Sequence, residues 1–313
     1  MTITADAVKQ LRERTGAGMM ECKKALVETN GDLDAAAENM RKSGLAKADK
    51  KASRIAAEGV VVVEKSADGK TGVLIEVNSE TDFVARGDDF RGFAAEVAKV
   101  ALAAGATSID AVNALKLGSG ETVDEKRRAL IAKLGENLNV RRVVLVTAPT
   151  IVGSYVHTDN KKAALVAVEG GDADLARDLA MQVVAASPRY LTPADAPADL
   201  VAKEREIETE KAKGEPANAS KPAEILAKIV EGRLRKSINE FALTGQVFVK
   251  DSDLTIEKLL QKNKASVKAF ERVEVGAGIE KKQGDFANEV MEQVKAAQKK
   301  DEKDDKSDPP TKH

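Results

Sequence analysis

Two stretches of this chain read alike: "TGVLIEVN…FAAEVAKVALAA" (71–104) and "KAALVAVEG…LAMQVVAAS" (162–187). Each is a β-branched strand, a connection and an apolar helix, an internal echo within one chain. The copies differ in one respect. Sixteen residues separate Val77 from Phe93, but only eleven separate Val168 from Leu179, and the surplus falls on "TDFVAR" (81–86). A segment present in one of two similar halves is not demanded by their shared packing, which favours a functional role for it.

Phe83 has two readings: helical pattern alone favours a buried core residue, and the surplus length and Gly87 bring an exposed recognition residue level with it. Ser79 with Asp82 three residues on forms a capping-box-like start, and Phe83 then precedes Phe90 by seven residues and Phe93 by ten. Those helical spacings would place all three on one buried stripe. Against this stand the surplus length and Gly87, an awkward residue inside a helix, both of which suit a Phe held out for recognition.

The remaining chain divides by its punctuation. Thr4 caps a first helix that "TGAG" (15–18) ends; a second runs from about Met19 to Glu28; "NGD" (30–32) turns into a third with Asp32 as cap. Residues 1–54 thus form a three-helix domain whose basic end, "KADKKASR" (47–54), reads as a linker. "GVVVVEKS" and "TGVLIEVN" flank Asp68-Gly69 as a hairpin, and a helix then continues to about Ala104. "ETVDEKRRALIAKLGENL" (121–138) is helical, and "VRRVVLVTA", "IVGSYVH" and "KAALVAVEG" are three strands under a helix at 172–187. The expected division is a core N-subdomain at 55–140 and a core C-subdomain at 141–196 and 242–276. A charged helical hairpin at 197–241 separates the two pieces of the latter, with Ile225, Leu226, Ile229, Val230, Leu234 and Ile238 on its return arm. A helical module at 277–298, including an amphipathic helix at 285–298, and a disordered charged tail at 299–313 complete the chain.

Several chemistries lack their residues. There is no phosphate-binding G-x-x-x-x-G-K-[ST], and "GAGIEK" (276–281) has Lys281 where a dinucleotide fingerprint needs its third Gly. His157, His313 and Cys22 cannot build the usual zinc sites; Cys22 reads as a half-buried structural thiol, and a lone His157 as a satisfied structural residue. Asp88 and Asp89 read as a solvated face. No catalytic residue, cofactor or metal is expected, and the chain is not read as an enzyme. Fifty basic against 51 acidic side chains argue against direct nucleic-acid binding through the 47–54 stretch. A single cysteine, no apolar run near the roughly 20 residues that span a bilayer, and a start without leader character give the expectation of a cytoplasmic protein with no membrane partner.

Seven stretches in order, "LRERTGAGMMECKKAL", "NGDLDAAAENMRKSG", "EVNSETDFVA", "LGENLNVRR", "GSYVH", "IVEGRLRK" and "RVEVGAGIEK", resemble the bacterial translation elongation factor Ts family and cover the chain to about residue 298. The resemblance implies an α+β fold with a ubiquitin-associated-like N-terminal domain, two related core subdomains, an inserted antiparallel coiled coil and a C-terminal helical module. It implies a guanine-nucleotide exchange factor for elongation factor Tu, bound in its GDP and nucleotide-free forms as a heterodimer or heterotetramer. It also implies roles. Thr81, Asp82, Phe83 and Val84 would enter the partner's nucleotide-binding domain and disturb its Mg²⁺ site, with Phe83 as wedge and Asp82 repositioning the switch-side helices. Leu134, Gly135 and His157 would touch the same partner, and Met19, Met20 and Lys23 would dock the N-terminal domain on it. Two departures stand out: "TDNKK" follows His157 where the family has a short Gly-containing turn, and Val247 replaces a common Pro.

Overall fold

The computed structural model describes residues 3–280. At the N-terminus, α1 (Ala5–Thr15), α2 (Met19–Glu28) and α3 (Leu33–Lys51) pack around Leu11, Cys22, Leu26 and Ala36. Their caps are the expected ones. Thr4 Oγ1 accepts from the Ala7 N–H, Asp32 Oδ1 from those of Asp34 and Ala35, and Gly16 turns left-handed at φ 66°. Cys22 is fully buried rather than half-buried. The expected linker is corrected more sharply, because α3 runs on to Lys51 and absorbs most of "KADKKASR". Tertiary packing supplies the reason. Gly44 lets α3 approach α7 (Val123–Leu134) so closely that a Cβ there would lie 3.0 Å from that of Ala132.

Beyond α3, β1 (Glu58–Lys65) and β2 (Thr71–Ser79) form the predicted hairpin. Asp68 Oδ1 accepts from Ser66 Oγ and the Lys70 N–H to close its turn. The chain continues through α4 (Asp82–Arg86), α5 (Asp88–Ala104), α6 (Ile109–Ala114) and α7 into β3 (Asn139–Thr147), which pairs antiparallel with β2. The expected boundary at 140/141 therefore cuts through a strand, and β3 completes the first sheet in the order β1-β2-β3. In the second sheet β4 (Ile151–Val156), β5 (Lys162–Glu169) and β8 (Ser266–Glu274) follow the order β4-β5-β8, with α8 (Ala173–Ala186) against its outer face.

The layers explain the two long apolar strands. Val61, Leu74, Val152 and Leu165 meet between the sheets, while Val73, Ile75 and Val77 turn outward onto Phe90, Phe93 and Val97 of α5. Strands β2 and β5 are each the middle of a sheet covered on both sides, so neither can alternate apolar with polar. Buried polar residues enter β2 only toward its end, at Glu76, Asn78 and Ser79, and Glu76 is buried completely and held by Arg141 and Arg142.

A helical hairpin, α9 (Ala198–Gly214) and α10 (Ala223–Phe241), interrupts the second half. It is joined by the Arg205–Glu231 pair, by Ser237 Oγ donating to Glu204, and by Arg233 donating twice to Glu215. The chain returns through a short ribbon, β6 (Val247–Phe248) with β7 (Asp251–Thr255), and α11 (Ile256–Lys262). The ribbon and α6 carry no signal that sequence pattern had separated from loop. The expected helix at 285–298, and the tail at 299–313, lie outside the described residues.

Candidate functional site

Phe83 stands out of the molecule, 84 % exposed, beside a completely buried Phe90. The backbone explains the difference. Thr81, not Ser79, caps α4, its Oγ1 accepting from the Val84 N–H at 3.4 Å, while Ser79 Oγ donates to the Thr81 carbonyl at 2.8 Å. Gly87 then ends α4, donating to the Val84 carbonyl, and adopts an extended conformation (φ −69°, ψ 144°) before α5 begins. One extended residue between two helices abolishes the common stripe on which Phe83, Phe90 and Phe93 were read together. Ala85 is buried and Val84 packs on the first core, so α4 is anchored through one face and presents Phe83 on the other. Asp82 pairs with Arg86 one turn on, at 2.8 Å.

The turn after α7 meets this segment. Glu136 accepts from the Thr81 N–H at 3.0 Å and from Thr81 Oγ1 at 2.6 Å, and Asn137 N–H donates to Glu80 Oε1 at 2.7 Å. Gly135 caps α7 at φ 83°, and its carbonyl accepts from Lys51 Nζ at the end of α3. Asn137 Nδ2 donates to the Arg54 carbonyl at 2.7 Å. Leu134 is half-buried against the first core. Leu134 and Gly135 are thus brought to Thr81–Val84 by bonds made through Glu136 and Asn137, residues that sequence reading passed over. The only available signal was their place inside "LGEN".

His157 follows β4 and opens a turn. Its N–H donates to the Lys162 carbonyl, its Nδ1 lies 3.0 Å from Asp159 Oδ1, and Asn160 takes the left-handed conformation at φ 56° that Gly and Asn adopt most readily. Burial works to raise the Asp159 carboxyl, but the Lys161 N–H and His157 outweigh it and hold the group below the usual carboxylate range. The turn is fastened to β1, where the Val61 N–H donates to the Asn160 carbonyl and Lys161 pairs with Glu58. Glu58 pairs in register with Ser79 at the end of β2, so His157 is fixed to the strand next to the one that leads into α4.

Met19, Met20 and Lys23 are exposed on α2, and Val27, seven residues after Met20, is exposed with them. Sequence reading did not single out Val27, although that spacing puts it on the same face as Met20. This face belongs to a module that reaches the core by α3 on α7.

Among the described residues no group of three or more His, Cys, Asp or Glu side chains is placed to hold a metal ion, and no helix is long and apolar enough to cross a membrane. The geometry offers a rigidly mounted apolar projection, which is the equipment of recognition.

Comparison with known proteins agrees with that geometry. Residues 80–277 match the family model described as elongation factor TS. The chain belongs to the elongation factor Ts family. Its relatives named elongation factor Ts include that of Francisella tularensis subsp. novicida, 56 % identical over 293 residues, covering 94 % of this chain and 99 % of the relative. That of Xanthomonas campestris pv. campestris is 53 % identical over 294 residues, with coverage of 94 % and 99 %, and that of Methylococcus capsulatus 52 % over 298, with 95 % and 100 %. The matched region of the elongation factor Ts model begins at Glu80, so it takes in the whole of α4 and the turn that braces it.

Proposed function

We propose that the chain is a guanine-nucleotide exchange factor that binds elongation factor Tu–GDP and speeds GDP release by disturbing the partner's Mg²⁺ site. The exposure of Phe83 on a braced five-residue helix carries the reading. Phe83 is the wedge that enters the partner's nucleotide-binding domain, with Thr81, Asp82 and Val84 around it. Leu134, Gly135 and His157 extend the contact, and Met19, Met20 and Lys23 dock the ubiquitin-associated-like N-terminal domain. The two sheet-and-helix layers are the related core subdomains, α9–α10 is the inserted coiled coil, and a C-terminal helical module reaches a further part of the partner. The proposed site of action is the cytoplasm.

Such a reaction needs no acid or base from this chain. Mg²⁺ neutralises phosphate charge, so displacing it makes the bound diphosphate costly to hold. A thousandfold faster release corresponds to about 4 kcal/mol off the barrier. A buried aromatic anchor typically contributes about 2–4 kcal/mol to an interface, so Phe83 is a major contributor. Coupling is reciprocal: the factor that weakens nucleotide binding is weakened by nucleotide to the same degree.

The test is release of a fluorescent GDP analogue from elongation factor Tu in a stopped-flow mixer, with wild type and Phe83→Ala each at saturation. Fast release by wild type and a large loss in the variant is the expected result. Fast release by both would keep exchange and remove Phe83 from it. No acceleration by wild type would sink exchange and favour instead a peptide- or chaperone-type binding module built around the three-helix N-terminal unit.

A further inference from the structure

Phe83 sits on a helix of five residues, far below the length at which a helix holds itself together in water. Something outside α4 has to keep it folded, and Glu136 makes both of the long-range hydrogen bonds to its cap. One carboxylate oxygen takes the Thr81 N–H and the other takes Thr81 Oγ1, at 3.0 and 2.6 Å, across 55 residues of sequence. The hydroxyl that donates to Glu136 is the same one that accepts from the Val84 N–H, so the carboxylate fixes the rotamer that caps α4. The neighbouring bond runs the other way, Asn137 N–H to Glu80, giving a three-bond cross-brace between the segments 80–81 and 136–137. Glu80 is itself met by Arg54 at 3.5 Å, and Asn137 is buried, so the brace stands on fixed ground.

We infer that Glu136 is a positioning residue for the wedge: through Thr81 it holds α4 folded, and Phe83 presented, before any partner arrives. This rests on the exchange reading above for the meaning of Phe83, but the brace itself is a property of the free chain. A loosely held α4 would have to be ordered during association, which weakens binding without altering the wedge once it is seated. The consequence is a split. Removing Phe83 lowers the maximal release rate, whereas removing the brace raises the concentration of factor needed to reach it.

The full-length chain is compared as wild type, Glu136→Gln, Thr81→Val and Phe83→Ala, together with Glu136→Gln/Phe83→Ala. Hydrogen exchange of the free proteins is read first. The amides of 82–87 are expected to exchange about tenfold faster in Glu136→Gln and Thr81→Val, with β2 and α5 unchanged. In GDP-release titrations against elongation factor Tu, Glu136→Gln is expected to raise the half-maximal concentration about tenfold at an unchanged maximal rate, the order expected for a lost hydrogen bond to a charged group. Thr81→Val, itself part of the contact, is read by hydrogen exchange alone. In the Phe83→Ala background, Glu136→Gln is expected to cost nothing further. Unaltered protection of 82–87 would overturn the inference. So would an equal loss from Glu136→Gln with Phe83 already gone, because Glu136 would then act on the partner directly. If wild type itself fails to release GDP, the exchange reading falls, and hydrogen exchange alone decides the brace. Thr81→Val keeps the test open should Glu136→Gln fail to fold.

Discussion

Phe83 and Phe90 are seven residues apart, two helical turns, yet one is 84 % exposed and the other completely buried. Gly87 separates them into two helices, and the pair forms a built-in control for function against stability. Phe83→Ala is expected to leave thermal unfolding within about 0.5 kcal/mol of wild type, as exposed substitutions do. The same change is expected to cost the exchange reaction about 2–4 kcal/mol. Phe90→Ala is expected to cost about 3–5 kcal/mol of stability. Denaturant unfolding of both variants beside GDP-release kinetics checks the contrast, and a destabilised Phe83→Ala would return that residue to the core.

Gly153, in the "GSYVH" stretch, is where α8 lies against β4. A Cβ there would fall 2.0 Å from the Ala176 carbonyl oxygen, a contact that backbone must move to relieve. Gly153→Ala is expected to destabilise the chain by about 3 kcal/mol or more, measured by urea unfolding. Gly92→Ala, on α5 with open space around it, is the matched control and is expected to be neutral or slightly stabilising. Equal effects from the two would show that the close approach of α8 is not enforced.

Glu76 is buried in the middle strand of the first sheet, accepting from Arg141 Nη1 at 3.0 and 3.2 Å, paired with Arg142 Nε at 3.2 Å, and accepting the Gly276 N–H at 2.8 Å. Both arginines also donate to the Ala277 carbonyl. One carboxylate therefore ties β2, β3 and the end of β8 together. Glu76→Ala leaves two guanidinium groups without their anion and is expected to cost about 3–5 kcal/mol in equilibrium unfolding. A loss below about 1 kcal/mol would mean that water replaces the carboxylate.

The α9–α10 hairpin should respond to acid through Glu215. Arg233, donating to both of its oxygens, holds its carboxyl below the ordinary 4.5 against the opposing effect of burial. A carboxyl whose folded value is lowered adds stability that is fully present above 4.5 and is lost as pH falls through the lower folded value. Amide exchange within α9 and α10 is expected to accelerate as pH drops from about 5 toward 3, after correction for intrinsic rates. Glu215→Gln is expected to flatten that dependence, and an unchanged slope would assign it to other carboxyls.

Much of this molecule is legible without coordinates, for a definite reason. Thr4, Gly16 and Asp32 act on their own neighbours, so caps and turns in α1–α3 follow from local chemistry. The stripe of Phe90, Phe93 and Val97 announces α5 because amphipathic period is a local property. Seven motifs in order sufficed for the family. What depends on distant partners was not legible. Period says that a face is apolar, but not which neighbour covers it, so β3 was grouped with the strands after it instead of with β2. The stretch 47–51 looks like a solvated linker until Gly44 allows α3 to lie on α7. The direction of Phe83 was open for the same reason. One extended residue at Gly87 and two hydrogen bonds accepted by a carboxylate 55 residues downstream decide it, and both are settled only when the chain has closed on itself.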